Sequence, residues 1–345
     1  MQVAVLHRAL DLRLEERPVP RPEPDDVLVA VRAVGICGSD VHYWRDGRIG
    51  DIIVQAPFVL GHECAGIVAE VGSSVTSLAV GDRVALEPGV PCRRCPACRS
   101  GRYNLCPDVV FMATPPVDGA FAQYVVHPAD FAYRLPDQVS LEEGALFEPL
   151  SVGIHAVRRS GIGLGDTVLV GGTGPIGLTA LLAARAAGAS RVIVSDVVPS
   201  RLELARSLGA WETIDARSAD LAAEVLRLTG GEGADAAIEC SGAEASQRAG
   251  LESLRRGGVI VLVGLGAPTV SLPATTLSNR ELDVRGVFRY TNTYPAAVRL
   301  VASGQVDLKP LVTHHFPLER VAEAMETAHG RAGGAVKVVV HPTEG

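Results

Sequence analysis

A glycine-rich turn in the middle of the chain constrains the fold most strongly. The apolar residues 168–170 lead into the hexapeptide G-T-G-P-I-G at 172–177, and an Ala- and Leu-rich stretch follows as far as Ala187. This spacing fits G-x-G-x-x-G between a strand and a helix, where glycines allow a tight turn, close approach of a pyrophosphate and close helix–strand packing. The phosphates would lie at the helix N-terminus, where free N–H groups favour negative charge.

An acidic residue strengthens the prediction of a dinucleotide site. Asp196 ends the next apolar run, at about the ~20-residue separation expected from the glycines. A carboxylate there accepts hydrogen bonds from the ribose 2′-hydroxyl and repels a 2′-phosphate, which predicts NAD rather than NADP. Arg201 lies near enough to weaken that preference. The glycine turn alone would also fit a simple tight connection, but the strand, the helix and Asp196 together favour the cofactor.

The order of predicted elements indicates an α/β chain with two domains. The part before about Pro149 consists of short strands separated by Gly and Pro turns, which predicts an antiparallel, β-rich domain. From Thr167 onward, apolar strands alternate with helical stretches, as in a doubly wound parallel sheet. A last strand at 336–340 suggests that the tail returns to the first domain. We therefore predict one domain at 1–149 and 289–345, and a nucleotide-binding domain at 150–288.

Charge and hydropathy exclude several classes of partner. The net charge is −7 and no Lys- or Arg-rich run occurs, which argues against nucleic acid or an anionic membrane as the main partner. No apolar run reaches the roughly 18 residues of a spanning helix, and the first residues lack the order of a secretory signal. We expect a cytoplasmic protein, in which the seven cysteines serve as thiols or metal ligands rather than as disulfides.

Four of these cysteines predict a structural zinc site. Cys92, Cys95, Cys98 and Cys106 lie within one loop, in a lobe at about 88–108. Four thiolates around a tetrahedral zinc ion form a closed site without a position for substrate. The whole chain has seven cysteines, so four of them would not be expected to lie in one loop by chance.

A second set of metal-ligating residues is dispersed. Cys37 follows a predicted strand, the pair His62 and Glu63 follows Gly61, and Glu148 lies near the predicted domain border. A buried cysteine usually packs as a small apolar residue and a lone glutamate is usually solvated, so the spacing alone leaves both interpretations open.

Five segments together resemble the zinc-dependent medium-chain alcohol dehydrogenases, and within them the sorbitol (polyol) dehydrogenase branch. The resemblance spans essentially the whole chain and is carried by residues 34–44, 60–63, 113–116, 143–153 and 286–290. The first and last segments are fairly specific to polyol enzymes. The resemblance implies a GroES-like catalytic domain, a Rossmann domain, catalytic and structural zinc, NAD as cofactor, and a homotetramer.

The resemblance also implies roles for individual residues. It places catalytic zinc on Cys37, His62 and Glu63, with Glu148 as an alternative ligand or as the holder of a zinc-bound water. Implied contacts to the polyol are Tyr43, Phe111, Glu148, Arg289 and Tyr290. Implied contacts to NAD are Gly172, Gly174, Ile176, Gly177, Asp196, Arg201, Val263, Gly264, Leu265, Val287, Phe288 and Arg289. Ser39 would pass a proton towards His42 or towards a water held by Glu148.

Elementary chemistry narrows the zinc site. His62 and Glu63 are neighbours, so both reach one ion only if the backbone turns, for which Gly61 gives freedom. One thiolate and one carboxylate neutralise Zn²⁺, whereas a second carboxylate weakens the Lewis acid. We therefore expect three protein ligands and one open position, with the remaining glutamate supporting the site.

The predicted reaction is oxidation of a secondary hydroxyl of a polyol, of the sorbitol, xylitol or L-iditol type, to the ketose. Zinc would lower the pKa of the hydroxyl and NAD would accept the hydride. The alternatives are a threonine 3-dehydrogenase or a simple secondary alcohol dehydrogenase on the same scaffold. A non-catalytic nucleotide-binding relative is the alternative from another class, and loss of the metal ligands would mark it.

Overall fold

The computed structural model describes residues 1–343 and divides into two compact units. The first unit is Met1–Glu148 together with the chain from Tyr294 onward, and the second is Pro149–Thr293. The sequence analysis placed these borders at 149/150 and 288/289. Residues 344 and 345 of its second range lie outside the described part. Among residues 1–343, no helix combines the length and the apolarity needed to span a bilayer.

The first unit begins with short strands and few helices. Its strands up to the first border are β1 Gln2–Arg8, β2 Asp11–Glu16, β3 Asp26–Gly35, β4 Arg48–Ile49, β5 Ile52–Ile53, β6 Phe58–Val59, β7 Glu63–Val71, β8 Arg83–Leu86, β9 Gly89–Val90, β10 Val110–Phe111, β11 Tyr124–Pro128 and β12 Ala132–Arg134. Its helices there are α1 Gly38–Asp46, α2 Pro96–Arg99, α3 Leu141–Ala145 and the start of α4 Phe147–Ser160, with 3₁₀ turns at Tyr103–Leu105 and Ala129–Phe131.

The second unit alternates strands and helices, as the sequence predicted. Its strands are β13 Thr167–Gly171, β14 Arg191–Asp196, β15 Glu212–Asp215, β16 Ala234–Glu239, β17 Leu254–Leu262 and β18 Asp283–Gly286. Its helices after α4 are α5 Pro175–Ala186, α6 Pro199–Ser207, α7 Leu221–Leu228, α8 Glu244–Glu252 and α9 Ala274–Arg280. The strands form one parallel sheet in the order β15-β14-β13-β16-β17-β18, which is the 3-2-1-4-5-6 order of a Rossmann fold.

The chain after the second border completes the first unit. Its elements are α10 Tyr294–Ala302, β19 Val312–Pro317, α11 Val321–Gly330 and β20 Lys337–His341, with 3₁₀ turns at Lys309–Leu311, Leu318–Arg320 and Ala332–Gly334. β20 pairs with the end of β3, so the tail joins the main sheet, in the order β12-β8-β7-β3-β20-β19 with β11 also on β3.

Each unit has its own apolar core. The core of the first unit includes Val27, Val29 and Val31 of β3, all of them fully buried, and β3 has paired strands on both of its edges. The core of the second unit includes Leu169 and Ile193 from neighbouring parallel strands. Full burial of a Leu or Ile side chain contributes about 1.5–3 kcal/mol, so these strands fix the position of the loops at their ends.

Candidate active site and metal centres

The first unit brings Cys37, His62 and Glu63 together. Their donor atoms all lie within 4.8 Å of one another. Cys37 lies two residues beyond the end of β3 and is the N-cap of α1, while Glu63 begins β7 and pairs with Gly35 of β3. Gly61 adopts φ +90°, the left-handed region that glycine tolerates, and the chain turns there just before His62. Because of this turn, the adjacent residues His62 and Glu63 can both reach one metal ion.

Asp40 holds this arrangement in place. One carboxylate oxygen, Oδ2, accepts a hydrogen bond of 2.9 Å from the N–H of Cys37, and Oδ1 accepts one of 2.9 Å from the N–H of Gly61. Oδ1 also lies 3.6 Å from His62 Nδ1, and Asp40 is fully buried. A carboxylate behind a histidine commonly orients a metal ligand. The sequence analysis missed Asp40, although an Asp three residues after a helix N-cap is a recognisable capping signal.

The donor set fits a cation. Burial lowers the pKa of His62, but the charges of Asp40 and Cys37 outweigh burial and raise this pKa well above its ordinary value. Within residues 1–343, His62 Nδ1 is a buried nitrogen without a hydrogen-bond partner. A thiol, an imidazole and a carboxylate grouped in this way match the ligands that Zn²⁺ takes in catalytic sites.

A buried lysine pairs with Glu63. Lys337 Nζ lies 2.7 Å from both carboxylate oxygens and donates to the carbonyl oxygen of Ile36 at 3.0 Å. The two side chains are 2% and 1% exposed. Burial lowers the pKa of Lys337, but the charges of Glu63 and Cys37 raise it above its ordinary value. The sequence analysis assigned no role to Lys337.

Gly35 makes room for the Glu63 carboxylate. A Cβ atom at Gly35 would collide with Glu63 Oε2, so a larger residue at this position would displace the carboxylate from Lys337. Since Lys337 lies on β20, which pairs with the same end of β3, the ion pair is enclosed by three strands. The carboxylate is therefore held in one position before any metal binds.

Glu148 is buried in the same unit. It lies in the first turn of α4 with 5% exposure. Burial raises the pKa of the Cys64 thiol to about 12, and the negative charge of Glu148 adds to that rise. Glu148 also raises the pKa of Lys337. Cys64 thus stays protonated beside the site, whereas Glu148 acts on the site through its charge.

Of the other predicted residues of the first unit, Phe111 lies beside this group. The Phe111 ring centroid is 5.7 Å from that of His62, and the buried Tyr43 packs edge-to-face on Phe58 at 5.9 Å. Ser39 is partly buried in the first turn of α1. His42 is exposed, and its Nδ1 lies 3.2 Å from Asp46 Oδ2, one turn along the same helix.

The four loop cysteines also come together, with all Sγ atoms within 4.8 Å. Cys95 Sγ lies 3.4 Å from Cys98 Sγ, and Cys92 Sγ lies 4.0 Å from Cys98 Sγ. Sulfurs bound tetrahedrally at about 2.3 Å from zinc would be roughly 3.8 Å apart, so the spacing fits. Backbone N–H groups of Arg94 and Cys95 lower the pKa of Cys92 to about 7 because they stabilise the thiolate.

The glycine-rich turn in the second unit has the geometry of a phosphate site. Gly172 adopts φ +86°, and a Cβ atom at Gly177 would collide with the carbonyl oxygen of Gly172. No atom of the described chain lies within 4 Å of where a Cβ atom of Gly174 would be. Helix α5 starts at Pro175 directly after this residue, so its free N–H groups face open space that suits a pyrophosphate.

Asp196 lies where the sequence predicted but also supports the turn. Its Oδ2 accepts hydrogen bonds from the N–H and the hydroxyl of Thr173, at 2.6 and 2.8 Å. Its Oδ1 accepts from the N–H groups of Val197 and Val198. The carboxylate therefore fixes the glycine turn from the end of the neighbouring strand, a function that the sequence analysis did not anticipate.

The remaining residues predicted to contact NAD follow strand ends of the same sheet. Val263, Gly264 and Leu265 follow β17, and Val287, Phe288 and Arg289 follow β18, next to Tyr290, which was predicted to contact the polyol. Arg289 stacks on the Phe288 ring at 4.8 Å. Arg201 is buried in α6. The carboxyl ends of parallel strands are where dinucleotides bind in such sheets.

Comparison with known proteins defines the class. Residues 23–137 match the family described as alcohol dehydrogenase GroES-like domain, and residues 175–303 match zinc-binding dehydrogenase. A sorbitol dehydrogenase from Gallus gallus is 50% identical over 343 residues, 99% of this chain and 96% of that protein. One from Bacillus subtilis is 49% identical, with 99% and 97% covered. The structure of an Escherichia coli oxidoreductase/dehydrogenase of unknown specificity aligns with a TM-score of 0.96 at 37% identity, with 99% of each chain covered.

A GroES-like part joined to a Rossmann sheet, with a Cys–His–Glu group, defines a zinc-dependent dehydrogenase. The chain belongs to the zinc-binding alcohol dehydrogenase family. The predicted α/β fold and the resemblance to the polyol branch are confirmed.

Proposed function

We propose that this chain oxidises a secondary hydroxyl of a polyol to the ketose, with NAD as the hydride acceptor and zinc as the Lewis acid. The observation that carries the proposal is the grouping of one thiol, one imidazole and one carboxylate within 4.8 Å in a member of this family. The substrate class follows from relatives at about 50% identity that are named sorbitol dehydrogenases.

We assign the first unit as the catalytic domain and the second as the NAD-binding domain. When bound, zinc would supply a positive charge that lowers the pKa of the substrate hydroxyl. Cys37 and His62 would hold the ion, and Asp40 would keep the imidazole oriented through its contact with Nδ1. The cysteine lobe would hold a second, structural zinc.

We propose Glu63 as the third zinc ligand and Glu148 as the supporting carboxylate. Glu63 belongs to the three-residue donor group, and each carboxylate oxygen has a further lone pair that can bind a metal although Lys337 bonds both oxygens. Lys337 also offsets one negative charge. As the two anionic ligands, Cys37 and Glu63 would balance the charge of Zn²⁺, and the open fourth position would take the hydroxyl.

A pair of variants separates the two glutamates. The double variant Glu63→Gln/Lys337→Met removes both buried charges together and is expected to lose the catalytic zinc. Glu148→Gln is the matched control and is expected to keep it while turnover falls. Elemental analysis measures both. Zinc retained in the double variant and lost from Glu148→Gln would reverse the assignment.

The other proposed roles follow the same division. Tyr43, Phe111, Glu148, Arg289 and Tyr290 would contact the polyol, whose hydroxyls need several polar partners. Ser39 would take the proton from the substrate hydroxyl. His42 would pass it to solvent, which its exposed position on α1 supports.

The substrate class is tested by NAD reduction, followed at 340 nm, with sorbitol, xylitol, L-iditol, threonine and simple secondary alcohols. The expected result is turnover of the polyols that is lost on chelation and recovered with zinc. Turnover confined to threonine or to simple alcohols would replace the proposal by one of those activities. Nucleotide binding without turnover of any of them would indicate a non-catalytic relative.

Two further predictions stay open to direct measurement. Light scattering tests the predicted homotetramer, and fractionation of the source cells tests the predicted cytoplasmic location.

A further inference from the structure

A third group of metal-ligating side chains lies on a partly exposed surface of the first unit. Glu142, His315 and His341 place their donor atoms within 4.8 Å of one another. Glu142 Oε1 is 2.9 Å from His315 Nδ1 and 3.1 Å from His341 Nε2, and the two nitrogens are 3.4 Å apart. We propose that this triangle is a further metal site, which takes a divalent transition-metal ion such as Zn²⁺ or Ni²⁺.

Regular secondary structure holds the two histidines. In the parallel β19–β20 pair, His315 lies opposite Val339 and His341 lies opposite Pro317. The histidines are therefore two positions apart in register, and their side chains share one face of the sheet. Their rings are stacked with an interplanar angle of 17° and centroids 5.7 Å apart. Two nitrogens are thus presented side by side.

The carboxylate is fixed from a separate element. Glu142 lies in the first turn of α3, which begins with a capping box in which Ser140 and Glu143 bond each other's backbone N–H. This cap sets the start of the helix and hence the position of Glu142. The three donors come from three elements of the fold, so their spacing does not depend on a free loop.

The hydrogen bonding of His341 prepares it as a ligand. Its Nδ1 lies 2.9 Å from the carbonyl oxygen of Arg32. Because a carbonyl only accepts, Nδ1 carries a proton, and Nε2 is the ring nitrogen that faces Glu142. Donation from the far nitrogen to a carbonyl is the usual way in which proteins orient a histidine that binds metal. A cation in the triangle would bind both Nε2 of His341 and Oε1 of Glu142, which lie 3.1 Å apart.

The size of the triangle suits such an ion. With an ion about 2.1 Å from each donor, the three donor–metal–donor angles would be about 87°, 95° and 108°, which lie between octahedral and tetrahedral values. The remaining positions would be filled by water. Two imidazole nitrogens and one carboxylate oxygen select Zn²⁺, Co²⁺, Ni²⁺ or Cu²⁺ over Mg²⁺ and Ca²⁺. The donor side chains are 32% to 53% exposed, so the ion would exchange with solvent.

A bound ion would connect parts of the chain that lead to the proposed active site. Helix α3 is followed by α4, which carries Glu148, and β20 begins with Lys337, which pairs with Glu63. Linking α3 to β19 and β20 therefore stabilises the first unit. Since an ion that binds the folded state alone raises stability, excess Zn²⁺ is expected to raise the Tm.

Equilibrium dialysis of the holoenzyme against Zn²⁺, followed by elemental analysis, tests the site. The protein is expected to bind one Zn²⁺ per chain beyond its content before dialysis. His315→Gln and Glu142→Gln each remove one donor and are expected to weaken this binding by about tenfold or more. His314→Gln is the matched control because His314 is the preceding residue of β19 and bonds Thr313 at 3.0 Å instead.

The outcomes are distinct. Binding that weakens in His315→Gln and Glu142→Gln but not in His314→Gln supports the site. No additional Zn²⁺ in the wild type, or equal loss in all three variants, overturns it. A Tm measured in chelator that equals the wild-type value shows that each variant folds. Polyol turnover enters none of these readouts, so the result is independent of the proposed function.

Discussion

Replacing Lys337 with methionine removes one member of a fully buried ion pair and leaves Glu63 without its partner. Both side chains are at most 2% exposed, and both oxygens of Glu63 lie 2.7 Å from the lost nitrogen. Breaking a buried pair on one side costs about 3–5 kcal/mol, because an uncompensated charge stays in the interior. We expect the free energy of unfolding of the metal-free protein to fall by about that amount.

The double variant Lys337→Met/Glu63→Gln is the matched control. With both charges gone, most of the lost stability should return, because neutral replacement of a buried pair is often close to neutral. Zinc should restore part of the stability of the single variant if Glu63 is a ligand, since the ion supplies the missing positive charge. The recovery on adding zinc should be absent from the double variant.

The assay is urea unfolding followed by tryptophan fluorescence. Trp44 is buried in the first unit, whereas Trp211 is exposed in the second. A Trp211→Phe background therefore leaves Trp44 as the reporter of the unit that contains the ion pair. A loss below about 1 kcal/mol in Lys337→Met would refute the reasoning. The reasoning would also be refuted if the double variant lost as much free energy of unfolding as the two single variants lose together.

Three shorter predictions follow. Cys106→Ser should lose one zinc per chain, measured by elemental analysis, because the lobe would keep three of its four thiols. Asp196→Asn should narrow the preference for NAD over NADP by about tenfold or more in kcat/KM. The substitution removes about 1.4 kcal/mol of repulsion between the carboxylate and the 2′-phosphate of NADP. The asparagine oxygen can still accept the hydrogen bonds from the N–H groups of the next two residues. Burial lowers the pKa of His127 to about 4, so the unfolded chain binds more protons between that value and about 6.5. The free energy of unfolding should therefore fall as the pH drops from about 6.5 towards 4, by up to ~1.4 kcal/mol per pH unit. His127→Gln should show a shallower decline in urea unfolding, because glutamine does not titrate. Its amide can still donate to the Glu87 carbonyl, as His127 does.

Much of the architecture could be predicted from local patterns of apolar, glycine and proline residues. The apolar strands around the glycine turn and the helix after it appear in the structure as β13, β14 and α5, because period, length and turn chemistry are properties of short segments. The short strand β15 and the helix α9 are among the elements that were not predicted individually. Their segments have weak periodicity, and they are defined by the neighbouring strands on which they pack.

The candidate site could also be predicted only in part from local sequence patterns. Four cysteines in one loop predict their own proximity, whereas Cys37 and His62 meet through long-range strand pairing that no local pattern encodes. The resemblance to a family supplied that set. Lys337 was missed because its partner Glu63 lies 274 positions away, and a single lysine in a sequence does not indicate burial.

The number of zinc ions that depend on Cys37 tests the central claim most directly. Elemental analysis of Cys37→Ser should show one zinc per chain fewer than the wild type, the cysteine lobe still loaded, and no NAD reduction with any polyol. A Cys37→Ser protein with full zinc content and undiminished turnover would contradict the account.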